Sequence, residues 1–184
     1  MESLEVIIDG FPVKVAPGTS ILEVCAANGV TIPTLCYWPE SSPSASCGVC
    51  VVEVQGAKSL LRSCVTSVAA GMQISTASPR VLKARRLTVE LLLANHPKDC
   101  LTCLRSGSCE LQALARQLGV ESGRFPALRP SRPPDRTGAA LVRDESKCLL
   151  CGRCVAVCRQ TQTVSAIDFV GRGARTRVAP FFDR

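Results

Sequence analysis

Residues 36–50 read CYWPESSPSASCGVC. Cys36, Cys47 and Cys50 lie in a stretch rich in Ser and Pro, and Cys64 follows. The spacing is C-x10-C-x2-C-x13-C, one close pair flanked by two single cysteines. A structural zinc site usually shows two close pairs. A long loop, a C-x2-C and a distant Cys are nearer to the plant-type [2Fe–2S] pattern, although the first gap is longer here. The small residues Ser46, Gly48 and Val49 let backbone N–H groups approach such a group.

The surrounding sequence agrees. LEVII (Leu4–Ile8), Asp9-Gly10 and FPVKV (Phe11–Val15) predict a β-hairpin, because Asp-Gly favours the two-residue turn that matches strand twist. Ser20 and Glu23 form a capping box for a helix running to about Asn28, with Gly29 placed to end it. VVEV (Val51–Val54) predicts another strand. Hairpin, helix, cysteine loop and strand predict a β-grasp, ferredoxin-like [2Fe–2S] domain over residues 1–78 of an α+β chain. Cys25 belongs to no ligand set. It shares the apolar face of the first helix with Leu22 and is read as a core residue.

The 184 residues include 12 Cys but only five Phe, one Trp and one Tyr. An even cysteine count raises a disulfide framework. The opening MESLEVIIDG shows neither the basic nor the apolar region of a secretory leader, so the expectation is a cytoplasmic chain with reduced, metal-binding thiols. The densest apolar run, VELLLA, is too short to span a bilayer. The formal charge of +7, from 22 Lys and Arg against 15 Asp and Glu, suggests an affinity for nucleic acid only if every Cys is neutral. Metal-bound cysteines are thiolates, and three iron–sulfur clusters would bring the chain to about +2.

Ser78 and Pro79 predict the start of a second helix, running to Ala94 and stopped by Asn95-His96-Pro97. The second ligand set, His96, Cys100, Cys103 and Cys109, has the spacing H-x3-C-x2-C-x5-C. Spacing alone leaves a Cys3His zinc site and an iron–sulfur cluster as equal readings. ELQALARQLG predicts a short helix with Leu111, Leu114 and Leu118 on one face, ending a helical domain over residues 79–123. Residues 124–140, rich in Pro and Arg, read as an extended linker. A third unit covers 141–184. In it Cys148, Cys151, Cys154 and Cys158 form C-x2-C-x2-C-x3-C, the bacterial ferredoxin run for a [4Fe–4S] cluster, with Arg159 where Pro usually follows. The fourth Cys of such a run normally ligates a different cluster. IDFV (Ile167–Val170) and TRVAP (Thr176–Pro180) predict a closing hairpin.

The three sets in this order, carried by TIPTLCYWP, SCGVCVVEV, HPKDCLTCLRSGSCELQ and CLLCGRCVAVC, resemble the N-terminal electron-transfer module of the complex I large (75 kDa-type) iron–sulfur subunit. The same module opens [FeFe] hydrogenase large subunits, NAD-linked formate dehydrogenase α subunits and diaphorase small subunits. The resemblance covers nearly the whole chain. It implies a [2Fe–2S] cluster on Cys36, Cys47, Cys50 and Cys64. It implies a [4Fe–4S] cluster with an unusual His ligand on His96, Cys100, Cys103 and Cys109, followed by the start of a ferredoxin-type [4Fe–4S] domain. In hydrogenase- and formate-dehydrogenase-like members a second four-Cys run follows and receives the fourth Cys of this one. No Cys follows Cys158 here. The chain is therefore expected to be a fragment or a split subunit, the alternative being that Cys158 closes a single cluster.

No nucleotide fingerprint, phosphate loop or acid–base pair is visible, so no substrate-converting site is expected on this chain. The expected role is relay of single electrons between a flavin-containing NAD(P)H-oxidising subunit and a downstream catalytic subunit or domain. The expected location is the cytoplasm or the periphery of a membrane complex. The rival is a zinc-rich module binding nucleic acid or protein, with Arg129, Arg132 and Arg136 on phosphate. Its weakness is the shortage of aromatics for base stacking.

Overall fold

The computed structural model describes residues 3–121, 124–130, 132–138 and 140–181. Strands β1 (Leu4–Ile8) and β2 (Phe11–Val15) pair antiparallel from Leu4↔Val15 to Ile8↔Phe11. Asp9 and Gly10 both take positive φ, 48° and 89°, which is what the tight hairpin turn demands. Helix α1 (Ile21–Ala27) starts at the capping box. Ser20 Oγ accepts from Glu23 N at 3.2 Å, and Glu23 Oε2 accepts from Ser20 N at 3.0 Å. Ser20→Ala removes the hydroxyl that accepts from Glu23 N and donates to Glu23 Oε2, and should lower stability by about 1 kcal/mol in urea titrations.

After the cysteine loop come β3 (Val51–Val54), β4 (Leu61–Arg62) and β5 (Gln73–Ser75). The sheet order is β2-β1-β5-β3-β4, and β5 runs parallel to β1 and antiparallel to β3. The last strand of this sheet in sequence thus lies between the first and the third. Val6, Ile8, Val52, Val54 and Ile74 turn one face of the sheet onto Ile21, Leu22, Val24 and Cys25 of α1. Cys25 is fully buried, and burial pushes its thiol up to about 11.

Helix α2 (Pro79–Ala94) is capped by Ser78, whose Oγ accepts from Val81 N at 3.3 Å. Helix α3 (Glu110–Gln117) follows a cysteine loop. Leu111, Leu114, Ala115, Leu118 and Val120 pack with Val89 of α2 and with Leu35 and Val49 of the first cysteine loop. This second core therefore holds the first cysteine loop through Leu35 and Val49. The short helix α4 (Arg153–Ala156) leads through a π-helical turn, Val157–Thr161, to the hairpin β6 (Ile167–Val170) and β7 (Arg177–Pro180). The Pro- and Arg-rich connection forms no strand among its described residues, but it is anchored. Asn95 Oδ1 accepts from Leu128 N and Arg129 N, both at 3.0 Å. No helix among the described residues is long and apolar enough to cross a membrane.

Candidate metal centres

The first set is assembled by the sheet. Antiparallel pairing of β3 and β4, with Ser63 N donating to Cys50 O at 3.0 Å, places Cys64 beside Cys50. Their sulfurs lie 3.4 Å apart. Cys36 is in hydrogen-bond contact with both Cys47 and Cys64. The four thiols thus form a connected group ordered Cys47, Cys36, Cys64, Cys50. Contact with Cys47 and Cys64 holds the Cys36 thiol far below its ordinary pKa, and contact with Cys64 lowers Cys50 to about 6. Cys47 is raised by its bond to Cys36, and Cys64 by its bonds to Cys36 and Cys50. Metal ligation would take all four as thiolates. Gly48, at φ +69°, turns the chain so that Val49 N faces Cys47 Sγ at 3.5 Å, a donor that favours negative charge on sulfur.

The second set lies along one connection between α2 and α3. His96 N donates to Leu93 O at 3.2 Å as the helix ends. His96 Nδ1 is 3.1 Å from Pro97 O. A carbonyl only accepts, so that bond puts the ring proton on Nδ1 and leaves the Nε2 lone pair available, the usual arrangement of a ligating histidine. Cys100 opens a 3-10 turn, Cys103 closes it, and Cys109 is the N-cap of α3. Leu101 and Leu104, beside two of these cysteines, are fully exposed.

In the third set Cys148, Cys151 and Cys154 are electrostatic neighbours. Burial raises the Cys154 thiol, and the fields of Cys148 and Cys151 raise it further. Cys148 and Cys154 line a cavity of about 350 Å³ together with Pro130, Ile167 and Val178. Leu150 N faces Cys148 Sγ at 3.4 Å. Cys158 lies in the π-helical turn and is absent from that cavity's lining. Its sulfur accepts from Ala166 N at 3.2 Å, and it lines a shallow groove with Cys154, Trp38, Val157 and Gln162.

Among the described residues, no three His, Cys, Asp or Glu side chains close round a point suited to a single metal ion. The sets are instead linked to one another. Ser46 Oγ, in the first cysteine loop, donates to Cys151 O at 2.8 Å, and Ser44 Oγ does so at 3.2 Å. Cys47 and Cys148 line one cavity of about 320 Å³. Lys147 Nζ and Asp99 Oδ2, 3.3 Å apart, tie the third set to the loop of the second.

Three family models match parts of this chain. Residues 1–79 match a 2Fe-2S iron-sulfur cluster binding domain, residues 85–124 the iron-sulfur binding region of NADH-ubiquinone oxidoreductase G, and residues 141–160 a 4Fe-4S binding domain. A chain from the crystal structure of an NAD+-reducing [NiFe]-hydrogenase in its H2-reduced state superposes with a TM-score of 0.89 at 33% identity, over 98% of this chain and 76% of that one. The chain belongs to the family of complex I and hydrogenase iron–sulfur subunits. Within this family it is 42% identical to the NADP-reducing hydrogenase subunit HndD of Solidesulfovibrio fructosivorans, over 100% of this chain and 32% of the relative. It is 33% identical to the mitochondrial NADH dehydrogenase iron-sulfur protein 1 of Solanum tuberosum, over 98% of this chain and 24% of that protein. It therefore spans about a third or less of these curated relatives.

Several residues in and around these sites escaped the reading of the sequence. Ser44 and Ser46 join the first loop to Cys151 across more than a hundred positions. Arg129, read as linker, donates from Nη1 to Cys148 O at 2.7 Å. Arg85 is the third, and here the sequence does hold a signal: an arginine in an apolar stripe, four residues from both Val81 and Val89.

Proposed function

We propose that this chain is an electron-relay module with three iron–sulfur sites: a [2Fe–2S] site on Cys36, Cys47, Cys50 and Cys64, a [4Fe–4S] site on His96, Cys100, Cys103 and Cys109, and a further [4Fe–4S] site on Cys148, Cys151 and Cys154. The β-grasp reading of residues 1–78 is supported by the mixed sheet packed on α1. The helical unit is assigned to 79–123, the linker to 124–140 and the ferredoxin-type unit to 141–184. Bound clusters would supply reversible one-electron exchange. The chain's own residues hold sulfur donors in place and, at Cys47 and Cys148, aim backbone N–H groups at them.

The observation that carries this reading is the connected group Cys47, Cys36, Cys64, Cys50. Four thiols gathered in one group suit two irons, each taking two thiolates. The Ser46–Cys151 bond supports electron transfer between the first and third sites, although the second set lies between them in sequence. The resident complex would be cytoplasmic, or peripheral to a membrane. A flavin-containing NAD(P)H-oxidising subunit would sit at one end of the relay and a catalytic subunit or domain at the other. The nucleic-acid alternative loses two of its three cations: Arg129 is bonded to Cys148 O, and Arg132 lies 3.8 Å from Glu145. Protein purified without air should be brown and carry about six irons with two sites filled, or about ten with all three. Stoichiometric zinc without iron or visible absorption would overturn the reading.

His96→Cys should keep a cubane cluster and lower its reduction potential, because a thiolate adds a negative charge where imidazole is neutral. An EPR-monitored redox titration checks this. An unchanged or higher potential would remove His96 from the ligand set.

A further inference from the structure

Arg85 is the only charged residue among the described residues that is buried, with 4% of its surface exposed. It stands in the middle of the face that α2 turns inward, between Val81 and Val89. Its Nε donates to Val49 O at 3.2 Å, and its Nη2 to Val51 O at 2.8 Å. These are the carbonyls on either side of Cys50. Both acceptors are neutral, and no carboxylate lies within ion-pairing distance of Arg85 among the described residues. A buried charge without a counter-charge is costly. Two groups face it electrostatically, Cys50 and Asp9, and they oppose the lowering of its pKa by burial. Asp9 is engaged elsewhere, accepting from Thr76 N at 2.7 Å and Thr76 Oγ1 at 2.5 Å.

From this geometry we infer that Arg85 is the buried counter-charge of the first site, and that it raises that site's reduction potential. The inference rests on the [2Fe–2S] assignment to Cys36, Cys47, Cys50 and Cys64. Reduction brings one electron from the donor partner and passes it on to the acceptor, with no bond made or broken. The reduced site is one charge more negative than the oxidised site, and a fixed cation nearby favours it. The guanidinium is charged at every working pH, so its contribution does not vary with pH. The same side chain bridges the carbonyls flanking Cys50. It therefore holds the ligand loop and sets its field from one position on α2, the helix that leads to His96.

The test is an EPR-monitored dithionite titration of anaerobically purified full-length protein, comparing wild type, Arg85→Gln and Arg85→Lys, with iron content measured on each. A two-iron signal in the wild type tests the assignment itself; its absence there defeats that reading before Arg85 is judged. With the signal present, Arg85→Gln should make reduction of the first site about tenfold less favourable, which is about 59 mV for one electron. Arg85→Lys, which keeps the charge but loses the fork across two carbonyls, should stay near wild type. If Arg85→Gln loses its iron, wild-type iron and potential in Arg85→Lys still support the charge. An unchanged potential in an iron-loaded Arg85→Gln would overturn the inference. So would a Lys variant that shifts as far as Gln or also loses its iron, because the role would then be structural.

Discussion

Cys50→Ala is expected to strip the first site of both irons and of its EPR signal, while Cys25→Ala leaves iron content unchanged. The two thiols are close in the fold, and both are buried. What separates them is company. Cys50 has Cys64 at 3.4 Å and, through it, Cys36 and Cys47. Cys25 faces Leu22, Val24 and the sheet, and burial holds it protonated, raised to about 11. A thiol kept neutral in an apolar core is neither nucleophile nor ligand. Replacing it should cost about 1 kcal/mol of packing. Removing Cys50 leaves one iron of the pair with a single thiolate. Iron analysis and EPR on both variants check the contrast, and iron loss in Cys25→Ala would break it.

Features that a few neighbouring residues decide were legible in the sequence. The Asp9-Gly10 turn, the Ser20–Glu23 capping box and the Ser78-Pro79 start of α2 each depend on contacts within four positions, and each stands where the residues put it. The proposed ligand sets rest on a similar restriction, because ligation chemistry limits residue type and spacing. What stayed hidden is long-range. Residues 73–75 carry only one inward apolar side chain, Ile74, so nothing local marks β5 as a strand, still less as the one placed between β1 and β3. The meeting of the first and third sets is equally invisible, because Ser44 and Ser46 read as polar loop residues until Cys151 O is placed against them. Arg85 breaks the apolar pattern of α2. A break in a pattern shows that something is needed there, not what, and the answer lies in two carbonyls more than thirty residues away.

Cys151→Ser and Cys158→Ser are expected to part company, although they belong to one motif. Cys151 sits with Cys148 and Cys154, and its own carbonyl is tied to the first loop by Ser46. Cys158 shares the groove beside Trp38 with Cys154 but does not line the cavity that Cys148 and Cys154 share, and its sulfur already has a donor in Ala166 N. The third site is therefore proposed to draw three thiolates from this run, with Cys158 turned toward a cluster whose other ligands come from another segment or subunit. A cubane with three protein thiolates is exposed and labile, so the third site should load poorly in the isolated chain, leaving total iron near six rather than near ten. Supplying the partner that holds the missing thiolates should restore it in wild type. Under that restoration Cys151→Ser should still lose the third-site EPR signal, whereas Cys158→Ser should keep it and impair the neighbouring cluster instead. Iron content and EPR of the reduced protein, alone and with partner, decide the matter. A full third-site signal in the isolated wild type that Cys158→Ser abolishes as completely as Cys151→Ser would make Cys158 the fourth ligand of a self-contained cluster. In that case the groove that Cys154 and Cys158 already share would be part of that cluster's site.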